Sequence, residues 1–394
     1  MIDAGSSGSR VHVYRFNYCK AEPELEDEIF HMLQPGLSSF GDPVRAAESL
    51  DELMHIAVES VPETYHHCTP IAVKATAGLR LLGKDKSDQI LAEVHTRLQT
   101  RYPFPIADVE IMDGKDEGVY AWITVNYLLG RLRKTIYGRS AAIFDLGGAS
   151  TQIVFEPRLP KDHDSRQEMR LDFGGNQYTL YQHSYLGYGL NEARRRIKTE
   201  VIETYPGGAK TVYHPCLPDN HTETIKWTHD NITRSIDLVG TGAGHAECRA
   251  IVERVFNKDK PCPVSPCAFD GVYQPSLTDT FKDRELYAFS FFYDLSQPLG
   301  MPLEFSVAEL GTLASNVCGG NTRPFRHVPG ALQRLHTQSD YCLDLTYAHA
   351  LLRVGYELPP ERLVRTAKKI RDAETGWCLG ASIAMLDKAQ TCHV

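Results

Sequence analysis

No stretch of this 394-residue chain is apolar and long enough to span a bilayer, and no signal peptide is visible. A basic excess is missing too. The 42 Lys and Arg face 50 Asp and Glu, a formal net charge of −8, which argues against a nucleic-acid binder. No low-complexity segment occurs. The glycine cluster Gly240-Thr241-Gly242-Ala243-Gly244 does not have G-x-G-x-x-G spacing, and no βαβ unit with a following acidic residue surrounds it. It reads as a loop rather than a dinucleotide fingerprint. Cys262-Pro-Val-Ser-Pro-Cys267 is tight and Pro-rich, and no second pair completes a zinc ligand set.

What is present fits a soluble globular protein: 42% hydrophobic and 23% charged residues. The length exceeds one compact core, so two lobes are expected. There are 10 cysteines, six of them from Cys216 to Cys342. A small disulfide loop at Cys262 and Cys267 is the expectation. Two glycosylation sequons, at Asn220 and Asn231, share the region. Together they suggest an oxidising lumen; free core cysteines and chance sequons are the alternative. Asp3 stands only two residues from the start, so the strand leading into it is short. The native chain is therefore expected to begin earlier, with a signal or membrane anchor.

Two short stretches share one grammar. They are Asp3-Ala4-Gly5-Ser6-Ser7-Gly8-Ser9-Arg10 and Asp145-Leu146-Gly147-Gly148-Ala149-Ser150-Thr151-Gln152. Each reads Asp-x-Gly, then small residues and a hydroxyl, and each leads into alternating β residues. Both look like hairpin turns with an Asp at the strand end. Glycine permits positive φ and close approach to the main chain. Successive N–H groups form an anion nest, and Ser hydroxyls add donors. The Asp repels phosphate, so its reasonable task is to hold a hydrated divalent cation that phosphates share. Ordinary glycine turns are common; two copies with the same pattern favour the phosphate reading.

Taken in order, the first hairpin precedes a strand from Asp27 to Leu33. A helix is expected from Val44 to Val61, with Ala47, Leu50, Leu53, Ala57 and Val61 at helical spacing. Strand Ile71 to Lys74 leads into a strand-end loop carrying Thr76 and Arg80. Helix Ser87 to Arg101, strand Asp108 to Met112 and helix Asp116 to Leu129 follow, then the second hairpin. This is an α/β lobe with a mixed sheet. Pro157 to Arg166 reads as a lobe boundary. Beyond it come a hairpin around Gly174-Gly175-Asn176, a helix from Leu190 to Tyr205, strand Ser235 to Val239 and helix Glu247 to Phe256. The run from Tyr287 to Tyr293 is strand or helix. A capping box at Ser306 to Glu309 opens another helix. Further helices are expected at Leu343 to Val354 and Glu361 to Arg371. A last one carries Trp377 to Leu386 and should be buried.

Glu117, in Asp116-Glu117-Gly118 at a helix start after a strand, is placed to accept a proton from water. Taken alone, a helix-dipole role would explain it as well. Its company includes both turns, Thr76 and Arg80. The segments Ala75-Thr76-Ala77-Gly78-Leu79-Arg80-Leu81-Leu82, Asp116 to Trp122, Asp145 to Gln152 and the Asp3 start resemble the apyrase conserved regions of the GDA1/CD39 nucleoside phosphatases. Tyr287 to Asp294 resembles the fifth. Phe269 to Ser276, Pro298 to Pro302 and Glu374 to Ala381 are similar to the branch that holds fungal Golgi guanosine diphosphatases.

That resemblance implies two RNase H-like lobes of the actin-like ATPase superfamily, with the active site in the cleft between them. Lobe I would be residues 1–157 completed by 372–394, and lobe II residues 158–371. It implies a divalent cation (Ca²⁺, Mg²⁺ or Mn²⁺) and in-line attack by water on a nucleoside diphosphate, GDP and UDP, in the Golgi lumen. Glu117 would be the base, with Ser150 and Gln152 holding the water. Asp3, Asp145 and Thr76 would bind the cation through its water shell. Ser6, Ser7, Gly8, Gly147, Gly148 and Ala149 would cradle phosphate, and Tyr293 would stack on the nucleobase. The family's disulfides map to Cys216–Cys248 and Cys318–Cys342. Cell-surface members usually carry His where Gly8 stands, which points to the diphosphatase-preferring branch. The rivals are a broader di- and triphosphatase, a kinase of the same superclass and a non-hydrolysing actin-like nucleotide binder.

Overall fold

The computed structural model describes residues 1–19, 23–132, 139–157, 168–173, 175–205, 209–229, 231–281 and 284–386. They fall into two packed units, each mixed α/β. In the first, β1 (Ile2–Ala4), β2 (Ser9–Asn17) and β3 (Glu24–Leu33) form an antiparallel run. Next come α1 (Pro43–Glu48), capped by Asp42 accepting the Arg45 N–H at 2.9 Å, and α2 (Asp51–Ser60). The single helix expected over 44–61 is thus two. The Ser49 hydroxyl bonds back to the Ala46 carbonyl at 2.7 Å at the break. Ala47, Leu50, Leu53 and Ala57 still face the core.

β4 (Ile71–Ala75) lies parallel to β1 and ends level with it, so the Thr76 N–H reaches the Ala4 carbonyl at 3.3 Å. The loop expected after β4 is instead α3 (Ala77–Leu82), so Arg80 stands on a helix. α4 (Lys84–Arg101) follows after Gly83, whose φ of 94° lets the chain change direction. β5 (Ile106–Ile111) completes the sheet order β3-β2-β1-β4-β5. Then come α5 (Gly114–Leu128), β6 (Ala142–Leu146), β7 (Ser150–Phe155), β8 (Glu168–Phe173) and β9 (Asn176–Leu186). The four strands pair antiparallel as β6-β7-β9-β8. α5 packs on β7 and β9, with buried Trp122 edge-on to the Tyr178 ring at 5.3 Å. Asn126 clamps the helix to the chain entering β6: its amide donates to the Ala141 carbonyl at 3.2 Å and accepts the Ala141 N–H at 2.7 Å.

The second unit holds α6 (Leu190–Glu203), β10 (Thr211–His214), β11 (Thr222–His229) and β12 (Ile232–Gly240), sheet order β10-β12-β11. β11 is half-buried on one face only, where Ile225 and Trp227 pack against the core of this unit, and its other face is exposed. Asn220 and Asn231 sit at its two ends, exposed, with φ of 57° and 62°. α7 (His245–Val252) and α8 (Leu277–Thr280) precede β13 (Leu286–Ser290). The aromatic run is strand and then helix, for α9 (Phe291–Ser296) starts at Ser290, whose φ is 57°. β14 (Glu304–Ser306) leads through the capping box into α10 (Val307–Cys318). α11 (Ala331–Thr337) and α12 (Tyr341–Ala350) follow, α12 running into a π turn at Leu351–Gly355. Disulfides join Cys216 to Cys248, Cys262 to Cys267 and Cys318 to Cys342.

The helix expected over 361–371 is absent. β15 (Leu363–Arg365) runs parallel to β13 and antiparallel to β14, and β16 (Lys369–Ile370) turns back into β17 (Ala373–Glu374). Arg371 and Asp372 have φ of 51° and 66°, a turn no helix tolerates. Pairing with strands distant in sequence overrides local helix propensity here. α13 (Cys378–Leu386) is buried against α5. Among the described residues, 168–189 and 367–386 group with 1–156, while Pro157 and 190–366 form the second unit. β9 explains the shift from the expected boundary, since it hydrogen-bonds along β7. The expected boundary segment lies outside the described residues from 158 onward. No described helix is long and apolar enough to cross a membrane.

The tightest approach of α13 to α5 is at Gly380. A Cβ there would strike the Tyr120 carbonyl, and its N–H donates to the Thr124 hydroxyl at 2.8 Å. Gly380→Ala should therefore destabilise the protein by about 1–3 kcal/mol, read from urea midpoints. An unchanged midpoint would contradict this packing.

Candidate active site

The two hairpins are built alike. In the first, Asp3 stands opposite Arg10; in the second, Asp145 stands opposite Gln152. Arg10 Nη1 donates to Asp3 Oδ2 at 3.0 Å and reaches the Gly8 carbonyl at 3.4 Å, and Nη2 reaches the Ser7 hydroxyl at 3.4 Å. Asp3 Oδ1 is buried with no hydrogen-bond partner among the described residues. Burial pushes the Asp3 carboxyl above its ordinary range, while Arg10 and His12 pull it back. The second turn is closed by the Gly147 N–H donating to the Ser150 carbonyl at 3.0 Å and by the Thr151 hydroxyl donating to the Asp145 carbonyl at 2.7 Å. Among the described residues, the N–H groups of Ser6, Ser7, Gly8, Gly148 and Ala149 donate to no backbone carbonyl. Those donors remain for solvent or a ligand, as a phosphate nest requires.

Glycines behind each turn hold it in place. A Cβ on Gly36 would strike the Gly5 and Ser6 carbonyls, and one on Gly78 would stand 2.8 Å from the Ser6 Cα. Gly189 backs the second turn, where a Cβ would strike the main chain of Gly148, Ala149 and Ser150. Gly8 itself packs under β3, and a Cβ there would lie 2.5 Å from the Leu33 carbonyl.

Glu117 enters from the first turn of α5, which Asp113 caps by accepting the Lys115 N–H at 2.8 Å. Gly114 and Gly118 let the helix approach. A Cβ on Gly114 would collide with Arg80 and Ser184, and one on Gly118 would lie 2.9 Å from Val154 and 3.3 Å from Gln152. Glu117 is only 8% exposed, and Arg80 donates to its Oε2 through Nη2. Burial raises the Glu117 carboxyl to about 8; Arg80 opposes the rise, and Asp145 and Asp3 add to it. The three carboxylates therefore share one electrostatic field.

Gln152 Nε2 donates to the Ser150 hydroxyl at 2.7 Å and to the Ser184 hydroxyl at 3.0 Å. Its Oε1 is buried with no partner among the described residues. Thr76 is buried at the start of α3, and its side chain makes no capping bond. No group of three or more His, Cys, Asp or Glu among the described residues is arranged to ligate a metal directly. Hard oxygens are what is offered, with Asp3 Oδ1 among them, and that donor set suits a hydrated Mg²⁺ or Ca²⁺.

Asp3, Thr76, Glu117, Asp145, Ser150, Gln152 and both turns thus belong to the first unit. Tyr293 lies half-buried on α9 of the second. Sequence reading gave no role to Arg10, Ser184, Gly36 and Gly189. Arg10 could have been found by counting across a four-residue turn, because the register sets it opposite Asp3. Ser184 faces Gln152 only through the β7–β9 pairing, which no local pattern announces.

The GDA1/CD39 (nucleoside phosphatase) family profile matches residues 1–393. A guanosine-diphosphatase from Schizosaccharomyces pombe is 48% identical, covering 98% of this chain and 73% of its own. One from Saccharomyces cerevisiae is 47% identical, covering 98% and 79%. Among solved structures, nucleoside triphosphate hydrolase from Neospora caninum shares the fold, with a TM-score of 0.67 over 97% of this chain and 91% of its own at 16% identity.

The buried carboxylate has a measurable consequence for stability. Glu117 binds its proton more tightly folded than unfolded, so stability falls as pH rises from about 4.5 to about 8. Glu117→Gln removes that loss. Without added cation, the melting-temperature gain of the variant over the parent should grow from pH 5 to pH 8. A gain independent of pH would mean that Glu117 titrates normally.

Proposed function

The chain belongs to the GDA1/CD39 nucleoside phosphatase family, and on that premise we propose that it hydrolyses nucleoside diphosphates, GDP and also UDP, to the monophosphate and phosphate. The observation that carries this reading is a buried, high-pKa Glu117 beside two hairpin tips with unused N–H donors. The 45–48% identity to fungal guanosine-diphosphatases supports the diphosphate preference. Gly8 supports it too: the first turn leaves no room for the larger residue of cell-surface members.

In this mechanism the two turns cradle the phosphates through Ser6, Ser7, Gly8, Gly147, Gly148 and Ala149. Such fixed donors act where charge develops, which is most of what phosphoryl transfer needs. Ser150 and Gln152 orient a water toward the terminal phosphorus. Glu117 takes its proton, a contribution of roughly 10²–10⁴-fold. Arg80 is the positioning residue: it lowers the proton affinity of Glu117 and aims the carboxylate. Asp3 and Asp145, with Thr76, would hold Ca²⁺, Mg²⁺ or Mn²⁺ through its water shell, and the ion would neutralise phosphate charge. Tyr293 serves as the nucleobase platform. The setting is the Golgi lumen, where hydrolysis clears the nucleotide that glycosyltransferases release. The disulfides Cys216–Cys248, Cys262–Cys267 and Cys318–Cys342 and two exposed sequons support a luminal site.

Phosphate release from GDP, UDP, GTP and ATP, with and without EDTA and with no acceptor present, tests the assignment. Release from GDP and UDP, lost in EDTA, is expected; none from any nucleotide would refute it. Glu117→Gln should abolish turnover while nucleotide binding persists, and full activity would end the role of Glu117 as base. Arg80→Gln removes the cation that favours the Glu117 carboxylate. Its kcat/KM should therefore climb with pH along a limb displaced upward from the parent's. An undisplaced limb would separate Arg80 from the base.

A further inference from the structure

The second unit contains a cavity of about 310 Å³ that the proposed reaction does not use. Three helices wall it. α7 supplies His245 and Arg249, α10 supplies Gly311 and Ser315, and His349 and Arg353 come from α12 and its π turn. Each pair is spaced i, i+4, so both residues of a pair share one helix face. α12 packs against both α7 and α10. Pro360 lines its rim, and the Pro360 carbonyl accepts the Ala308 N–H at 2.8 Å.

Gly311 makes the room: a Cβ there would stand 2.8 Å from His349 Nε2. His349 is 7% exposed, and its Nδ1 has no hydrogen-bond partner among the described residues. His245 Nε2 is buried and unpartnered as well, and the two ring centroids lie 6.0 Å apart. Burial, with Arg249 beside both, keeps these imidazoles neutral, His349 falling to about 4. Fixed positive charge comes from the guanidiniums. Arg249 is shared with Glu253, whereas Arg353 makes no ion pair among the described residues. None of the residues that α10 gives the cavity is charged.

Leaving His349 Nδ1 and His245 Nε2 without a partner costs free energy that a hydrogen-bonding ligand would offset. Two guanidiniums lining one cavity repel a cation and favour an anion. We propose that this cavity binds a tetrahedral oxyanion of the inorganic phosphate class, gripped by Arg249 and Arg353 and hydrogen-bonded by His245 and His349. The glycine run Gly240 to Gly244 then has a structural task. With φ of 55° at Gly242 and 98° at Gly244, it turns the chain from β12 into the helix that carries two of the four ligands.

Selenate, a tetrahedral dianion with an anomalous signal, should give a peak between the Arg249 and Arg353 guanidiniums in soaked crystals. Calorimetry with inorganic phosphate should show a binding event that survives Glu117→Gln. Arg353→Gln should weaken it at least tenfold and Arg249→Gln likewise, with kcat for GDP within twofold of the parent. If GMP binds there and inorganic phosphate does not, with the same dependence on Arg353, the oxyanion is a phosphomonoester and the site stands. No anomalous peak, or phosphate and GMP isotherms unchanged in both arginine variants, would overturn the proposal.

Discussion

A carboxylate that is largely buried, bonded to one guanidinium and in the field of two further carboxylates, is the constraint on which the first unit turns. Glu117 has Arg80 on one side and the fields of Asp145 and Asp3 on the other. Arg80 alone does not bring the proton affinity back to that of an exposed glutamate, since desolvation outweighs it. A group left in this condition holds a proton more tightly than an exposed glutamate and costs stability once it ionises. Proteins accept such a site where chemistry requires it.

The surrounding architecture keeps that arrangement rigid. Arg80 comes from α3, Glu117 from α5, Asp3 and Asp145 from two different sheet runs. They meet because β1 and β4 end together and because Gly114 and Gly118 let α5 lie close to Arg80, Ser184 and β7. The two turns repeat one device: an Asp at the strand end, small residues at the tip and glycine behind. Gly36 and Gly78 press on the first tip and Gly189 on the second, so both tips have a tightly held main chain, whose N–H groups at Ser6, Ser7, Gly8, Gly148 and Ala149 donate to no backbone carbonyl among the described residues. Hydrogen bonds from Gln152 to Ser150 and Ser184 fix the hydroxyls beside the second turn.

Local features were readable in the sequence, and long-range ones were not. Both hairpins, the Ser306–Glu309 capping box and the buried last helix follow from short patterns, and the structure has all of them. Asp3, Glu117 and Asp145 stand out because a motif surrounds each. Ser184 has no such context; its place is set by strand pairing across about thirty residues, and nothing near it signals a role. Residues 361–371 failed for the same reason, as β15 exists only through its neighbours β13 and β14. The break in the helix over 44–61 falls at Ser49 and Leu50, where apolar spacing continues across it and gives no sign of two helices. His245 and His349 are ordinary helix residues in the sequence and become a cluster only when α7 packs against α12.

The proton affinity of Glu117 tests the central claim most directly. A ¹³C NMR titration of the glutamate carboxyls in cation-free protein, with the Glu117→Gln spectrum subtracted, isolates its resonance. Titration near pH 8 is expected from a sealed carboxylate crowded by Asp3 and Asp145. A midpoint near the ordinary value of 4.5 would contradict the account, because Glu117 would then be a solvated residue and not the base.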